Sequence, residues 1–181
     1  MKLSEYLHTE NIKLELTANN KEEALRELAS LLKDKVNDFE GFVSAILARE
    51  SAGSTAMEYG LCIPHVRTKY VNEFAIAVGT KKEGIDCDSL DKKKSTVFFL
   101  IASNDETKLL HLDALVKISR LLKSDVETDL LCNTKSKEGF IELIKKMEEE
   151  WQNILSFFWH KELYVFTLWY GLLFCFNWNE R

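Results

Sequence analysis

Arg49-Glu50-Ser51-Ala52-Gly53-Ser54-Thr55-Ala56-Met57-Glu58-Tyr59-Gly60-Leu61-Cys62-Ile63-Pro64-His65 is the stretch on which the reading of this chain turns. It holds Gly53, Gly60 and the only proline of the sequence, Pro64. Gly-Ser-Thr offers a permissive backbone and two hydroxyl donors, which suits an oxyanion such as phosphate. Pro64 fixes its own backbone and biases Ile63 towards an extended conformation. His65 is therefore expected at the end of a short strand, held in one direction. Arg49 brings a planar fork that can grip phosphate oxygens. A fixed imidazole beside oxyanion donors and an arginine is chemically suited to accept a phosphoryl group. The same residues also admit a purely structural reading. A histidine after a proline is often structural, Gly-Ser-Thr occurs in plain loops, and an arginine at a helix end complements the helix dipole. By residue chemistry alone both readings stand.

Nearer the N-terminus, Asn11 to Leu16 alternates, with Ile12, Leu14 and Leu16 on one side, as a half-buried strand does. Asn20 and Glu23 form a capping pair for a helix whose face is Leu25, Leu28, Ala29 and Leu32. A second helix follows Asp38, with Phe39, Phe42, Val43, Ile46 and Leu47 as its apolar stripe, and runs out at Arg49 and Glu50. Phe74 to Val78 reads as a strand ended by Gly79. Thr96 to Ala102 reads as a strand buried on both faces. The charged residues Thr80 to Ser95 between them read as a surface excursion. Lys108 to Lys123 is helical, with His111, Leu115, Ile118 and Leu122 on one face and Leu112 and Val116 beside them. Asp125 to Cys132 is a short helix, and Ser136 caps a last one bearing Phe140, Leu143, Ile144, Met147 and Trp151. The alternation predicts an α/β (α+β) fold with a mixed β-sheet.

The chain has 181 residues, 46% hydrophobic and 29% charged, with a net charge of −5 and no large basic block. That composition suits an ordinary globular body and weighs against nucleic-acid binding, which needs clustered Lys and Arg. Cys62, Cys87, Cys132 and Cys175 show no Cys-x-x-Cys or paired-histidine spacing, so no zinc site and no disulfide framework are expected. Free thiols and an N-terminus without the apolar core of a signal peptide point to the cytoplasm. Composition shifts sharply near Glu150: all four tryptophans, Trp151, Trp159, Trp169 and Trp178, lie beyond it. The expected organisation is one domain over residues 1–150 and a hydrophobic, aromatic-rich tail over 151–181.

The quoted stretch resembles the signature of the fructose/mannitol-type IIA family of the sugar phosphotransferase system, which includes the nitrogen-type regulatory proteins. That signature is an Arg-Glu pair, Gly-Ser-Thr, then Gly-aliphatic-Ala-aliphatic-Pro-His. A further family feature is His-Leu at a helix start followed by a run like Ile-Ser-Arg-Leu-Leu. Here it is His111-Leu112 with Ile118-Ser119-Arg120-Leu121-Leu122. The resemblance spans roughly residues 1–150. It implies helices on both faces of the sheet, His65 as the phosphorylated residue, Arg49 as its active-site arginine and His111 as the second active-site histidine. Ser54 and Thr55 are the candidate phosphate-binding hydroxyls, and neither metal nor cofactor is required. Cys62 stands where the family usually has alanine. Val66 stands where a smaller residue is usual, a branched side chain beside the expected docking surface.

The partners implied are the histidine-containing phosphocarrier, which donates to His65, and a IIB component, which accepts on a cysteine. The membrane is reached only through a IIC transporter. Met57, Tyr59 and Val66 are candidates for partner contact. A regulatory protein of the nitrogen type, binding targets according to the state of His65, is the alternative. The tail falls short of the roughly 20 apolar residues of a spanning helix. An interfacial helix, an oligomer contact and an adventitious extension all remain open for it.

Overall fold

Pro64 interrupts one edge of the central sheet without shifting its register. The computed structural model describes residues 2–153. The segment before the proline, β2 (Leu61–Cys62), pairs in parallel with β5 (Ser95–Ser103) as Leu61 with Val97 and Cys62 with Phe98. After the proline, β3 (His65–Arg67) pairs with β5 at the same offset, His65 with Ile101 and Arg67 with Ser103. Pro64 has no N–H to give, but its carbonyl still accepts from Ile101 N at 2.9 Å. Proline is tolerated here because the strand is at the sheet edge. β5 pairs on its other side, antiparallel, with β4 (Ala75–Ile85), and β4 pairs in parallel with β1 (Ile12–Lys13). The sheet is therefore mixed, in the order β1-β4-β5-β2.

Two strands depart from the sequence reading. β1 is short because Glu15 takes a positive φ of 63°. That turn sends Leu16 back to the sheet, where its N–H donates to Thr80 O at 2.7 Å, and leaves Leu14 only half-buried. β4 does not stop at Gly79 but runs on to Ile85. Gly79 is a packing residue: a Cβ there would lie 2.8 Å from the side chain of Leu16. The excursion expected over Thr80 to Ser95 thus shrinks to the residues after Ile85.

The helices start where the sequence caps them. Asn20 accepts from Glu23 N at 2.9 Å ahead of α1 (Lys21–Ser30), and Asp38 accepts from Gly41 N at 3.0 Å ahead of α2 (Phe39–Ser51). Such caps contribute about 1 kcal/mol each. α3 (Lys108–Leu121) lacks a side-chain cap bond, and α4 (Asp125–Cys132) is capped by Ser124. Ser136 accepts from Gly139 N at 3.0 Å at the head of α5, which begins at residue 137.

Both sheet faces are covered. Leu25, Leu28, Phe42, Val43 and Ile46 of α1 and α2 share one core with Val66, Ala77, Phe98, Leu100 and Ala102. The alternate strand residues Ile76, Val78, Phe99 and Ile101 are buried on the opposite face. There α3 and α4 pack on β5, and the Phe99 and Phe140 rings lie 6.1 Å apart. Burying a side chain such as Phe42 or Phe99 contributes about 2 to 3 kcal/mol before entropy is charged against it.

The chain divides into two units, Met1–Lys145 and Lys146–Arg181. Residues 146–153 of the second unit are helical, and the rest of the expected aromatic tail lies outside the described residues. Among the described residues no helix is long and apolar enough to cross a membrane.

Candidate functional site

His65 opens β3, with its side chain on the strand face opposite Val66. Two contacts fix its ring. Nδ1 lies 2.8 Å from the carbonyl oxygen of Ile63, and Nε2 lies 3.1 Å from Arg49 Nη2. A carbonyl only accepts and a guanidinium only donates. Nδ1 therefore carries the proton, and Nε2 keeps its lone pair turned towards Arg49. Burial holds the basicity of His65 below its ordinary value. The bond to Ile63 works against that, and the charge of Arg49 reinforces it.

Arg49 sits in the last turn of α2 and is itself positioned, because Nη1 donates to Gly53 O at 2.9 Å. The loop bearing Gly53 is tied down by Glu50, which is 8% exposed. Its carboxylate accepts from Thr55 N at 3.0 Å and from Thr55 Oγ1 at 2.6 Å, and Lys21 Nζ approaches it at 3.3 Å.

His111 comes from the first turn of α3 and is also 8% exposed. Its ring stands 5.5 Å from that of His65, at 76°. Burial foremost, then the charges of His65, Arg67 and Arg49, bring its pKa down from 6.5 to about 4. Both imidazoles are thus neutral near pH 7. They share a cavity of about 630 Å³ with Arg49, Arg67, Lys108, Leu109 and Leu112, among others. Three basic side chains, one of them Arg67 with Asp105 Oδ1 3.4 Å from its Nε, stand around two neutral rings and favour an anion in the cleft.

The structure brings His65, His111 and Arg49 together, but not Ser54 and Thr55. The hydroxyl of Ser54 donates to Cys87 O, accepts from Ala56 N at 3.2 Å, and faces a separate cavity with Lys21 and Asp88. Thr55 is buried on Glu50. Both hydroxyls are engaged in the loop that carries Gly53, and neither lines the His65 cavity. Val66, the branched residue expected beside the docking surface, is 5% exposed and packs in the core, and it also lines the floor of the His65 cavity. Met57 is exposed, and Tyr59 is half-buried in a left-handed turn with Gly60.

Four contributors escaped the sequence reading. Arg67 follows His65 by two residues and so shares its strand face, a signal that was available. Lys108 was available only once the position of α3 was known. The Ile63 carbonyl is backbone, and Ser103, which lies 2.8 Å from His111 Nδ1, is distant in sequence; neither leaves a local signature.

Residues 5–147 match the family described as the phosphoenolpyruvate-dependent sugar phosphotransferase system, EIIA 2. The chain is 34% identical over 151 residues to a fructose-specific EIIABC component of the phosphotransferase system of Bacillus subtilis. That match covers 82% of this chain but only 24% of the relative. A fructose-specific EIIA component of Haloferax volcanii is 30% identical over 142 residues, covering 77% of this chain and 92% of the relative. In fold, the chain is similar to the crystal structure of the nitrogen regulatory protein IIA-Ntr from Neisseria meningitidis. There the TM-score is 0.73 at 23% identity, covering 78% of this chain and 98% of that one.

Proposed function

The chain belongs to the EIIA 2 family of the sugar phosphotransferase system, and from that premise we propose that it carries a phosphoryl group on His65 Nε2. It takes the group from a phosphorylated histidine-containing phosphocarrier and passes it to the cysteine of a IIB partner for sugar uptake. The observation that carries this reading is the pair of contacts on His65, with Nδ1 on Ile63 O and Nε2 facing Arg49.

Nucleophilic attack needs a lone pair, and only the neutral ring has one. The Ile63 bond selects the nitrogen, and burial with Arg49 keeps the ring neutral. As the bond between Nε2 and phosphorus forms, the bond between phosphorus and the donor's ring nitrogen breaks, and that nitrogen leaves with its electron pair. Positive charge grows on the His65 ring, where the Ile63 carbonyl stabilises it through Nδ1–H. Arg49 swings from Nε2 to the phosphoryl oxygens while Gly53 O retains the other arm of its fork. Arg67 and Lys108 add to the field, and His111 contacts the group from the opposite wall. Charge stabilisation of this kind is the main work in phosphoryl transfer.

The decisive assay mixes the protein with phosphoenolpyruvate, enzyme I and the phosphocarrier and reads the intact mass. The expected result is one acid-labile phosphoryl group, absent in His65→Ala. A folded sample that stays unmodified with competent carriers would overturn the reading. Adding a fructose-type IIB then separates transport from regulation. Loss of the group to IIB supports transport. A phosphorylated protein that no IIB discharges supports the regulatory alternative.

A further inference from the structure

We propose that Ser103 is a positioning residue: its hydroxyl donates to His111 Nδ1 and so holds that ring in the tautomer whose Nε2–H donates to an oxyanion seated on His65. Only the identity of the oxyanion, a phosphoryl group, rests on the carrier reading above.

Ser103 closes β5 and is wholly buried. Its Oγ lies 2.8 Å from His111 Nδ1 and 3.5 Å from Val66 O. The hydroxyl has one proton, so two arrangements compete. In one, the proton goes to Val66 O, and Oγ accepts from Nδ1–H. In the other, it goes to Nδ1, and the ring carries its own proton on Nε2.

The sheet decides between them. The parallel register that sets Ile101 N on Pro64 O places Ser103 N, two residues on, opposite Val66 O. The Val66 carbonyl thus has a ladder donor. Its 3.5 Å contact with Oγ is at the outer limit of a hydrogen bond, whereas 2.8 Å is an ordinary length. Of the two acceptors open to the Ser103 proton, Nδ1 at 2.8 Å is the better placed, and the proton is assigned there. The low basicity of His111 keeps the ring neutral, and a neutral ring with an accepting Nδ1 carries its proton on Nε2.

Among the described residues, Nε2 has no hydrogen-bond partner, and the ring lines the cleft that His65 also lines. In this tautomer it presents a donor to phosphoryl oxygens. In the opposite one it would present a lone pair and repel them. A hydroxyl outside the cleft thereby sets the sign of an interaction inside it, as outer residues orient the ligands of a metal site.

The test is two-bond proton–nitrogen NMR of the imidazoles in the unphosphorylated protein near pH 7, for the wild type, Ser103→Ala and Ser103→Thr. The wild type is expected to show His111 protonated on Nε2, Ser103→Ala to lose that preference, and Ser103→Thr to restore it. Phosphoryl acceptance by His65 is expected to fall about tenfold in Ser103→Ala and to recover in Ser103→Thr. A wild-type His111 protonated on Nδ1 overturns the proposal. So does a tautomer that ignores Ser103→Ala, or an acceptance rate that ignores a changed tautomer. The NMR readout needs no phosphorylation. If the tautomers behave as stated and inorganic phosphate shifts the His111 Nε2–H signal, but no carrier ever loads His65, it is the carrier reading that fails and the Ser103 pairing that stands.

Discussion

His65 Nδ1 and the carbonyl oxygen of Ile63, two residues earlier in the chain, lie 2.8 Å apart across Pro64. The proline makes this short loop of chain rigid, so the ring cannot turn without breaking the bond. The bond alone would raise the basicity of His65. Burial, aided by Arg49, outweighs it.

Removing Arg49 should therefore act on two independent readouts. In Arg49→Ala, His65 is expected to titrate at higher pH than in the wild type, because a cation has left its side. NMR titration of the ring protons reads this without any partner. Phosphoryl acceptance should fall about 10²-fold or more, the usual cost of losing a preorganised donor. Arg49→Lys keeps the charge but not the fork that spans Gly53 O and Nε2, so it should recover the titration better than the rate. A His65 pKa that does not rise in Arg49→Ala would remove Arg49 from the account.

The depressed histidines also set a pH dependence of stability. Both have folded pKa values below 6.5, the value of the free ring. On acidification the unfolded chain binds these protons first, so the stability of the neutral sites is complete above about pH 6.5 and is lost as pH falls towards the folded values. For His111, moving from 6.5 to about 4, the whole window is worth roughly 3 kcal/mol. Most carboxylates titrate lower, so urea unfolding between about pH 7 and pH 5 reads the histidines. His111→Gln should flatten that slope. An unchanged slope would mean that His111 is not the group responsible.

How much of this was legible in the sequence varies by the kind of signal. Asn20, Asp38 and Ser136 announced their helices because capping is local chemistry. The run after Ser95 announced a two-face-buried strand because every position is apolar or small. β4 was cut short at Gly79, since a glycine in a strand looks like an end unless Leu16 is known to lie on it. In the site, the motif singles out His65, Arg49 and His111, and the structure places all three around one cavity. Ser54 and Thr55 looked like phosphate donors because a hydroxyl in a glycine loop suits an oxyanion. Which way each points depends on Glu50 and Cys87, and no local pattern encodes that.

Glu50 and the two hydroxyls yield a third prediction. Glu50→Gln removes the charge facing Lys21 and weakens the grip on Thr55. Leaving these buried groups poorly paired should cost about 1 to 3 kcal/mol in chemical denaturation. Because Gly53 O holds Arg49, phosphoryl acceptance should fall as well. Ser54→Ala should leave acceptance within about twofold of wild type, far from the loss in Arg49→Ala. A Ser54→Ala defect as large as that of Arg49→Ala would assign Ser54 to the phosphate site.

The rim of the cleft gives the last prediction. Leu109 and Leu112, 73% and 58% exposed, stand with the exposed Val116 at three- and four-residue spacing along α3. That spacing sets them on one helix face, and the two leucines line the cavity of His65. Apolar side chains left in water beside a cationic cleft suit a partner whose own apolar patch surrounds its phosphorylated residue. Burying a leucine contributes about 2 kcal/mol, so each should supply roughly ten- to thirtyfold in partner affinity. Leu109→Glu and Leu112→Glu should thus raise the KM for the phosphocarrier by at least about tenfold, with unfolding midpoints unchanged because neither leucine is in the core. Slow chemical phosphorylation by phosphoramidate, a donor too small to touch the rim, should proceed as in wild type. Equal losses with both donors would show that these leucines support the His65 chemistry itself and are not a docking surface.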